Sequence, residues 1–236
     1  MSTLGELLRA VPVPAKAEPY AAAEARVRAR EEAKPRAVAV PAFSLHDEQI
    51  RALVQQLFFQ HEAGRIRNAC FAPIESSAQV APMCLDIARA LADEGKYDVG
   101  LIDANYDGAS LQRELQLDIP DHARGACAVS SRLWLVPRQS WWPQPDRHPV
   151  DRDIERLRDF MTEFDFSILC CAPVSWLTAR IAQSCDGLVL VLTANKTRRL
   201  VAAQIKEQLG KARIPLLGTV LAERRLPVPQ GLYRKL

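Results

Sequence analysis

Between residues 67 and 221 the chain alternates short apolar runs with helical repeats, and no other property narrows its fold as much. The segments "RNACFA" (67–72), "YDVGLID" (97–103), "SRLWLV" (131–136), "FDFSILCC" (164–171), "GLVLVLT" (187–193) and "IPLLGTVL" (214–221) have the length of strands and are mostly apolar. Helical spacing fills the intervals at about 78–94, 109–116, 150–163, 174–184 and 196–211. Strands apolar on both faces, joined by helical crossovers, predict an α/β fold with a mainly parallel, doubly wound sheet. Ligands of such sheets sit beyond the carboxyl ends of the strands. That places the loop after "CFA" and the tripeptide "DAN" (103–105) where chemistry is expected.

The folded part is read as residues 43–225, opening with "HDEQIRALVQQLFFQHEA", whose Ile50, Leu53, Val54, Leu57 and Phe58 mark one helix face. Residues 1–42 are rich in Ala, Pro and charge and are read as a linker, preceded by a short amphipathic helix with Leu4, Leu7, Leu8 and Val11 at helical spacing. That helix either docks on a partner or folds back on its own domain. Residues 226–236 form a tail.

Composition excludes several classes. A net charge of +3 with 25% charged residues is near balance, which argues against a nucleic-acid partner or an anionic-lipid surface. No stretch is long and apolar enough to span a bilayer, and the N-terminus has no secretory pattern, so a cytosolic protein is expected. The six cysteines (Cys70, Cys84, Cys127, Cys170, Cys171 and Cys185) lack CxxC spacing and are read as reduced, buried thiols. The four histidines (His46, His61, His122 and His148) show no ligand spacing, and no metal is expected.

Two passages carry a resemblance. "VGLIDANYDGASLQREL" is similar to a strand ending in Asp-Ala-Asp followed by a short basic stretch and Pro-Ser-Leu. "FDFSILCCAPVSWLTARIAQSCDGLVLVLTANKTRRLVAAQIKEQL" is similar to Tyr-Asp-Tyr, a hydrophobic run, Asp-Thr-Pro-Pro, and a strand leading to a helix that begins near Thr-Arg. In order and spacing these resemble the bacterial tyrosine kinases of capsule and exopolysaccharide assembly, within the MinD/ParA group of P-loop ATPases. The resemblance covers residues 46–222 and implies a P-loop fold.

The parts that hold a nucleotide in that family are missing. A phosphate loop needs glycines that let backbone N–H groups approach the anion, a lysine for the outer phosphates, and a Ser or Thr on magnesium. From Asn68 to Ala88 there is no Gly, Lys, Arg or Thr. Aligned on the following helix, Gln79 falls at the family's glycine, Val80 at its lysine and Ala81 at its magnesium-binding hydroxyl. Asp103 matches the first carboxylate of Asp-Ala-Asp, but the second has become Asn105, which carries no charge for Mg²⁺. Cys170 stands at the aspartate of the third motif, and a thiol is a poor ligand for a hard cation. Unpairing a buried ionic contact costs on the order of 3–5 kcal/mol, about two to three decades of affinity. No nucleotide cofactor is therefore expected.

What the resemblance implies is a non-catalytic relative acting as an interaction or regulatory subunit in exopolysaccharide, capsule or adhesin biosynthesis and export. Its implied partner is an inner-membrane chain-length (copolymerase) protein or an active kinase paralogue, with homo-oligomers an open alternative. Such a protein is cytoplasmic and held at the inner membrane through that partner, without inserting. Contact candidates are Leu4, Leu7, Leu8, Trp141 and Trp142 of "RQSWWPQPDRHP", and Arg198 and Arg199 of "NKTRR". The tryptophan loop has a second reading, in which its indoles cover the domain's own edge. Tyr233 is the one tyrosine of a tail that the family fills with phosphorylated tyrosines. Two alternatives stay open: an atypical autokinase or ATPase with a cation from Arg65, Arg67 or a partner, and a MinD/ParA-like positioning factor.

Overall fold

The structure is a computed structural model that describes residues 47–60, 64–76, 80–106, 108–120, 122–144 and 151–223. The expectations for residues 1–42, the tail and Tyr233 lie outside these residues.

In chain order the elements are α1 (Asp47–Val54), a π-helical turn (Gln55–Phe59), β1 (Asn68–Pro73), α2 (Val80–Asp93), β2 (Val99–Ala104), α3 (Leu111–Glu114), β3 (Cys127–Ala128) and β4 (Leu133–Val136). They continue with α4 (Arg138–Trp141), α5 (Asp151–Thr162), β5 (Phe166–Cys171), α6 (Trp176–Ala182), β6 (Gly187–Thr193), α7 (Arg199–Lys211) and β7 (Leu216–Ala222). The seven strands form one sheet in the order β3-β4-β2-β5-β1-β6-β7. Every pairing is parallel except β3 with β4. Burial on both faces accounts for the near-continuous apolar runs: each residue of β2, β4 and β5 is buried.

The helices form because their apolar residues repeat at helical spacing. In α2, Val80, Met83, Cys84, Ile87, Ala88 and Leu91 all face the sheet, and Pro82 is tolerated because it lies in the first turn. The helix ends in a turn at Gly95, whose φ of 70° suits a glycine and whose N–H donates to the Ala92 carbonyl. α6 is capped by Ser175, which accepts from the N–H groups of Leu177 and Thr178.

At the N-terminal end of the strands an aromatic cluster closes the core. Phe58 and Tyr97 meet the Phe166 ring edge-on, at centroid distances of 5.3 and 5.0 Å. Gly100 makes room for a different ring, since a Cβ there would lie 2.4 Å from Phe164.

Some expectations shift. The single opening helix breaks into α1 and the π turn, and the helix expected at 109–116 is the one turn 111–114, closed by Gln116 with φ 53°. β3 and α4 were not anticipated, being too short for periodicity to register. Within α4 and just after it, Trp141 and Trp142 are 0% and 3% exposed. Their expectation as partner contacts is thus corrected: the indoles stack at 6.1 Å and fill the space beside the end of β2, the second reading of that loop.

Candidate functional site: the cleft at the switch point

β1 lies between β5 and β6, and the chain leaves it for β2 on one side while β5 passes to β6 on the other. The strand order therefore reverses at β1, where α/β sheets open a crevice at the strands' carboxyl ends. A cleft of about 260 Å³ is found there. Its walls are Pro73 at the end of β1 and Ser76 after it, Val80 and Ala81 at the start of α2, Asn105, Gly108, Ala109 and Glu114 after β2, and Cys170 and Cys171 at the end of β5 with Ala172 and Pro173 after it.

The fold thus gathers residues far apart in sequence. Val80, Ala81, Asn105 and Cys170, each expected at a degenerate motif position, share this one cleft, and Gln79 lies outside the described residues. Asp103 sits beneath it, paired in register with Cys170 on the adjacent strand and 0% exposed.

Asp103 is occupied as a structural acceptor. One carboxylate oxygen accepts the Asn105 N–H and the other the Leu111 N–H, both at 3.0 Å. It thereby fastens both ends of the loop between β2 and α3. Burial raises its pKa from 3.8 to about 6, although the two N–H groups and the Arg138 charge pull the other way. Above it, the Trp141 indole N–H donates to the Asp103 carbonyl at 2.8 Å, and the Arg138 guanidinium donates to the Asn105 carbonyl. Arg138 is the cation nearest this network, and it is spent on that carbonyl and does not line the cleft.

The other wall is tied down as well. The Tyr106 hydroxyl bonds Ser175, and Thr178 donates to the Pro173 carbonyl at 2.9 Å. On the β1 side, Thr197 donates to Glu75 at 2.6 Å while accepting the Thr193 N–H at 2.9 Å. Glu75, in the loop that ought to cradle phosphate, is held against the β6–α7 connection.

The charge of the cleft is the reverse of what a polyphosphate needs. Among its described lining residues there is no Lys, Arg or His, and one carboxylate, Glu114. Glu114 is pushed above the usual carboxylate range by burial and then by the nearby Asp103 charge. The Cys170 thiol is held well above its ordinary range by its hydrogen bond with Cys84 and by burial, so it stays neutral. The Cys171 thiol behaves alike through Cys70, with the two sulfurs 3.1 Å apart.

Magnesium nucleotide therefore does not fit the residues present. Both Asp103 oxygens are committed to backbone N–H groups, Cys170 and Cys171 are uncharged sulfur, and no cation is among the described residues that line the cleft. Ser77, Ala78 and Gln79, outside the described residues, bring no cation by sequence. The expectation that Arg65 or Arg67 might substitute is also corrected. Both precede β1, whose six residues separate them from the cleft by roughly 20 Å. Arg65 stacks over Phe166 at 5.5 Å.

No family model matches the sequence, and no curated protein matches it either. Solved structures do match. The chimerical protein CapA2B2 superposes with a TM-score of 0.64 at 16% identity, over 76% of this chain and 85% of that one. The BceF tyrosine kinase domain gives 0.59 at 18% identity, over 85% and 87%. The septum site-determining protein MinD of Pyrococcus horikoshii, solved with Mg-ADP, gives 0.55 at 16% identity, over 72% and 76%. The chain has the MinD/ParA and bacterial tyrosine-kinase fold. At this level of identity the likeness shows the fold alone, and the MinD/ParA-like sheet explains where the cleft lies without saying what enters it.

Sequence reasoning missed several functional features of this MinD/ParA-like domain. Glu114 was unremarkable on a weak helical pattern, and the Glu75–Thr197 bond spans 122 positions. The anchoring of β2 by Trp141 had a trace in sequence: two adjacent tryptophans after a strand. Of the contact candidates, Arg198 and Arg199 are exposed, and Leu4, Leu7 and Leu8 lie outside the described residues. Among the described residues no helix is long and apolar enough to cross a membrane, and no group of three or more His, Cys, Asp or Glu side chains is placed to hold a metal ion.

Proposed function

We propose that this chain is a non-catalytic relative of the bacterial tyrosine kinases, an interaction or regulatory subunit in exopolysaccharide, capsule or adhesin biosynthesis and export. The single observation that supports it is that the described lining of the switch-point cleft holds one carboxylate, Glu114, and no cation. The described walls of that cleft are held by bonds internal to the chain, through Asp103, Tyr106, Thr178 and Glu75. A scaffold of this kind offers a rigid surface to other proteins. On this reading its partner is an inner-membrane chain-length protein or an active kinase paralogue, and the chain sits at the membrane through it.

Calorimetric titration of the full chain with Mg·ATP and Mg·ADP tests the reading, with no binding as the expected outcome. Micromolar binding with turnover would overturn it and favour an atypical autokinase or ATPase. Glycosyltransferase and export genes beside the coding sequence would support the polysaccharide assignment; their absence alongside chromosome- or plasmid-partition genes would favour a positioning factor.

A further inference from the structure

The sheet ends at β7, and among the described residues no strand pairs with its outer edge. α7 covers this end thinly, burying only Leu209 of its 13 residues. Where β7 ends and α7 begins, a groove of about 450 Å³ opens, with Leu192, Ala194 and Leu221 on the strand side and Arg199 and Ala202 on the helix. Leu221 is 49% exposed, and Leu200, on the first turn of α7, is 79% exposed. Leu221 lines the groove with Leu192, Ala194 and Ala202 beside a barely buried helix, and at 49% exposed it leaves an apolar surface that no described residue fully covers.

The charges beside it are unusual in placement. Arg198 and Arg199 are the N-cap and first residue of α7, at the positive end of the helix dipole, where cations are disfavoured. The first turn contains no acid, and no side chain caps it. Both arginines are exposed, and neither has an ion-pair partner among the described residues, whereas neighbouring Lys196 pairs with Glu223 at 3.3 Å. Two guanidinium groups at the least favourable point of the helix, with Arg199 lining the same groove as the exposed Leu221, break local folding rules in one spot. Such breaches gather at functional surfaces.

We infer that this corner docks an acidic segment of a partner protein. Its carboxylates meet Arg198 and Arg199, and an aliphatic or aromatic side chain beside them enters the groove lined by Leu192, Ala202 and Leu221. Charge selects this occupant: a second copy meeting it through the same corner would bring the same two arginines, and an anion without apolar side chains would leave Leu221 uncovered. The inference deepens the interaction-subunit reading and rests on it for its biological meaning. The groove shares no lining residue with the switch-point cleft, so the two fail separately.

A random-peptide library displayed on phage, selected against the immobilised full-length protein, is the probe. Enriched sequences should carry Asp or Glu within a few positions of Leu, Ile or Phe. A fluorescein-labelled synthetic copy should lose about tenfold or more in affinity for the double variant Arg198→Glu/Arg199→Glu, and likewise for Leu221→Ser. Unchanged thermal melts by circular dichroism establish that the variants fold; for any that does not, competition of the wild type by rising salt replaces it, with binding expected to weaken. Absent enrichment, enrichment of basic sequences, or affinity indifferent to both variants and to salt would overturn the inference. So would a concentration-dependent dimer abolished by Leu221→Ser, which assigns the surface to a second copy. Mg·ATP binding alongside intact peptide binding would remove the non-catalytic reading and leave this surface standing.

Discussion

Replacing Asp103 by Asn separates the two roles this carboxylate can have, structural acceptor or acid–base group. Burial raises it from 3.8 to about 6, so between these values the folded protein holds a proton that the unfolded chain has released. Stability from this group is complete below about pH 4 and is lost as pH rises through about 6. A gap of about two pH units at about 1.4 kcal/mol each makes the loss about 3 kcal/mol. Asn keeps one acceptor oxygen for the two N–H groups of Asn105 and Leu111, and one orphaned buried N–H costs about 1–3 kcal/mol. Asp103→Asn is therefore expected to be the less stable protein near pH 4 and to draw level with the wild type, or pass it, near pH 7. Urea unfolding followed by tryptophan fluorescence, with Trp141 bonded to the Asp103 carbonyl as a local reporter, measures both proteins across that range. Asp86, also raised to about 6 by burial, titrates in both and cancels in the difference. A stability difference that stays constant from about pH 4 to 7 would refute the reasoning.

Gly100→Ala is expected to cost about 1–3 kcal/mol, read as a lowered urea midpoint, because the new methyl lies 2.4–2.8 Å from three atoms of the Phe164 ring. Trp141→Phe removes the 2.8 Å bond to the Asp103 carbonyl and should lower stability by about 1 kcal/mol in the same assay; stability equal to wild type would contradict the anchoring role. Val80→Lys restores the family's lysine in position only. Mg·ATP titration should still show no binding, since Glu114 faces the same cleft, and submicromolar affinity would show that one missing cation was the whole defect.

The parallel sheet was legible because burial on both faces writes long apolar runs into β2, β5 and β6, and the helices between them fixed the crossover pattern. The cleft was legible in its losses: Val80, Asn105 and Cys170 were each recognisable as the wrong residue for phosphate or magnesium, and the fold brings them together. What replaced the lost chemistry was hidden. The Asp103 bonds to Asn105 and Leu111 depend on a loop conformation without periodicity, and the Thr197–Glu75 bond on two loops meeting in space. Trp141 and Trp142 misled in a different way. Amphipathic aromatic side chains suit a partner surface and a domain's own edge equally, and only the path of the four residues of α4 decides between them.

Cys70, Cys84, Cys170 and Cys171 are all at most 3% exposed, arranged as two facing sulfur pairs inside the sheet and α2. An alkylating reagent cannot reach them while β1 and β5 stay together. The rate at which mass is added at these positions is thus a clock for the whole domain coming apart, and it runs in cell extracts and mixtures where no optical signal would survive.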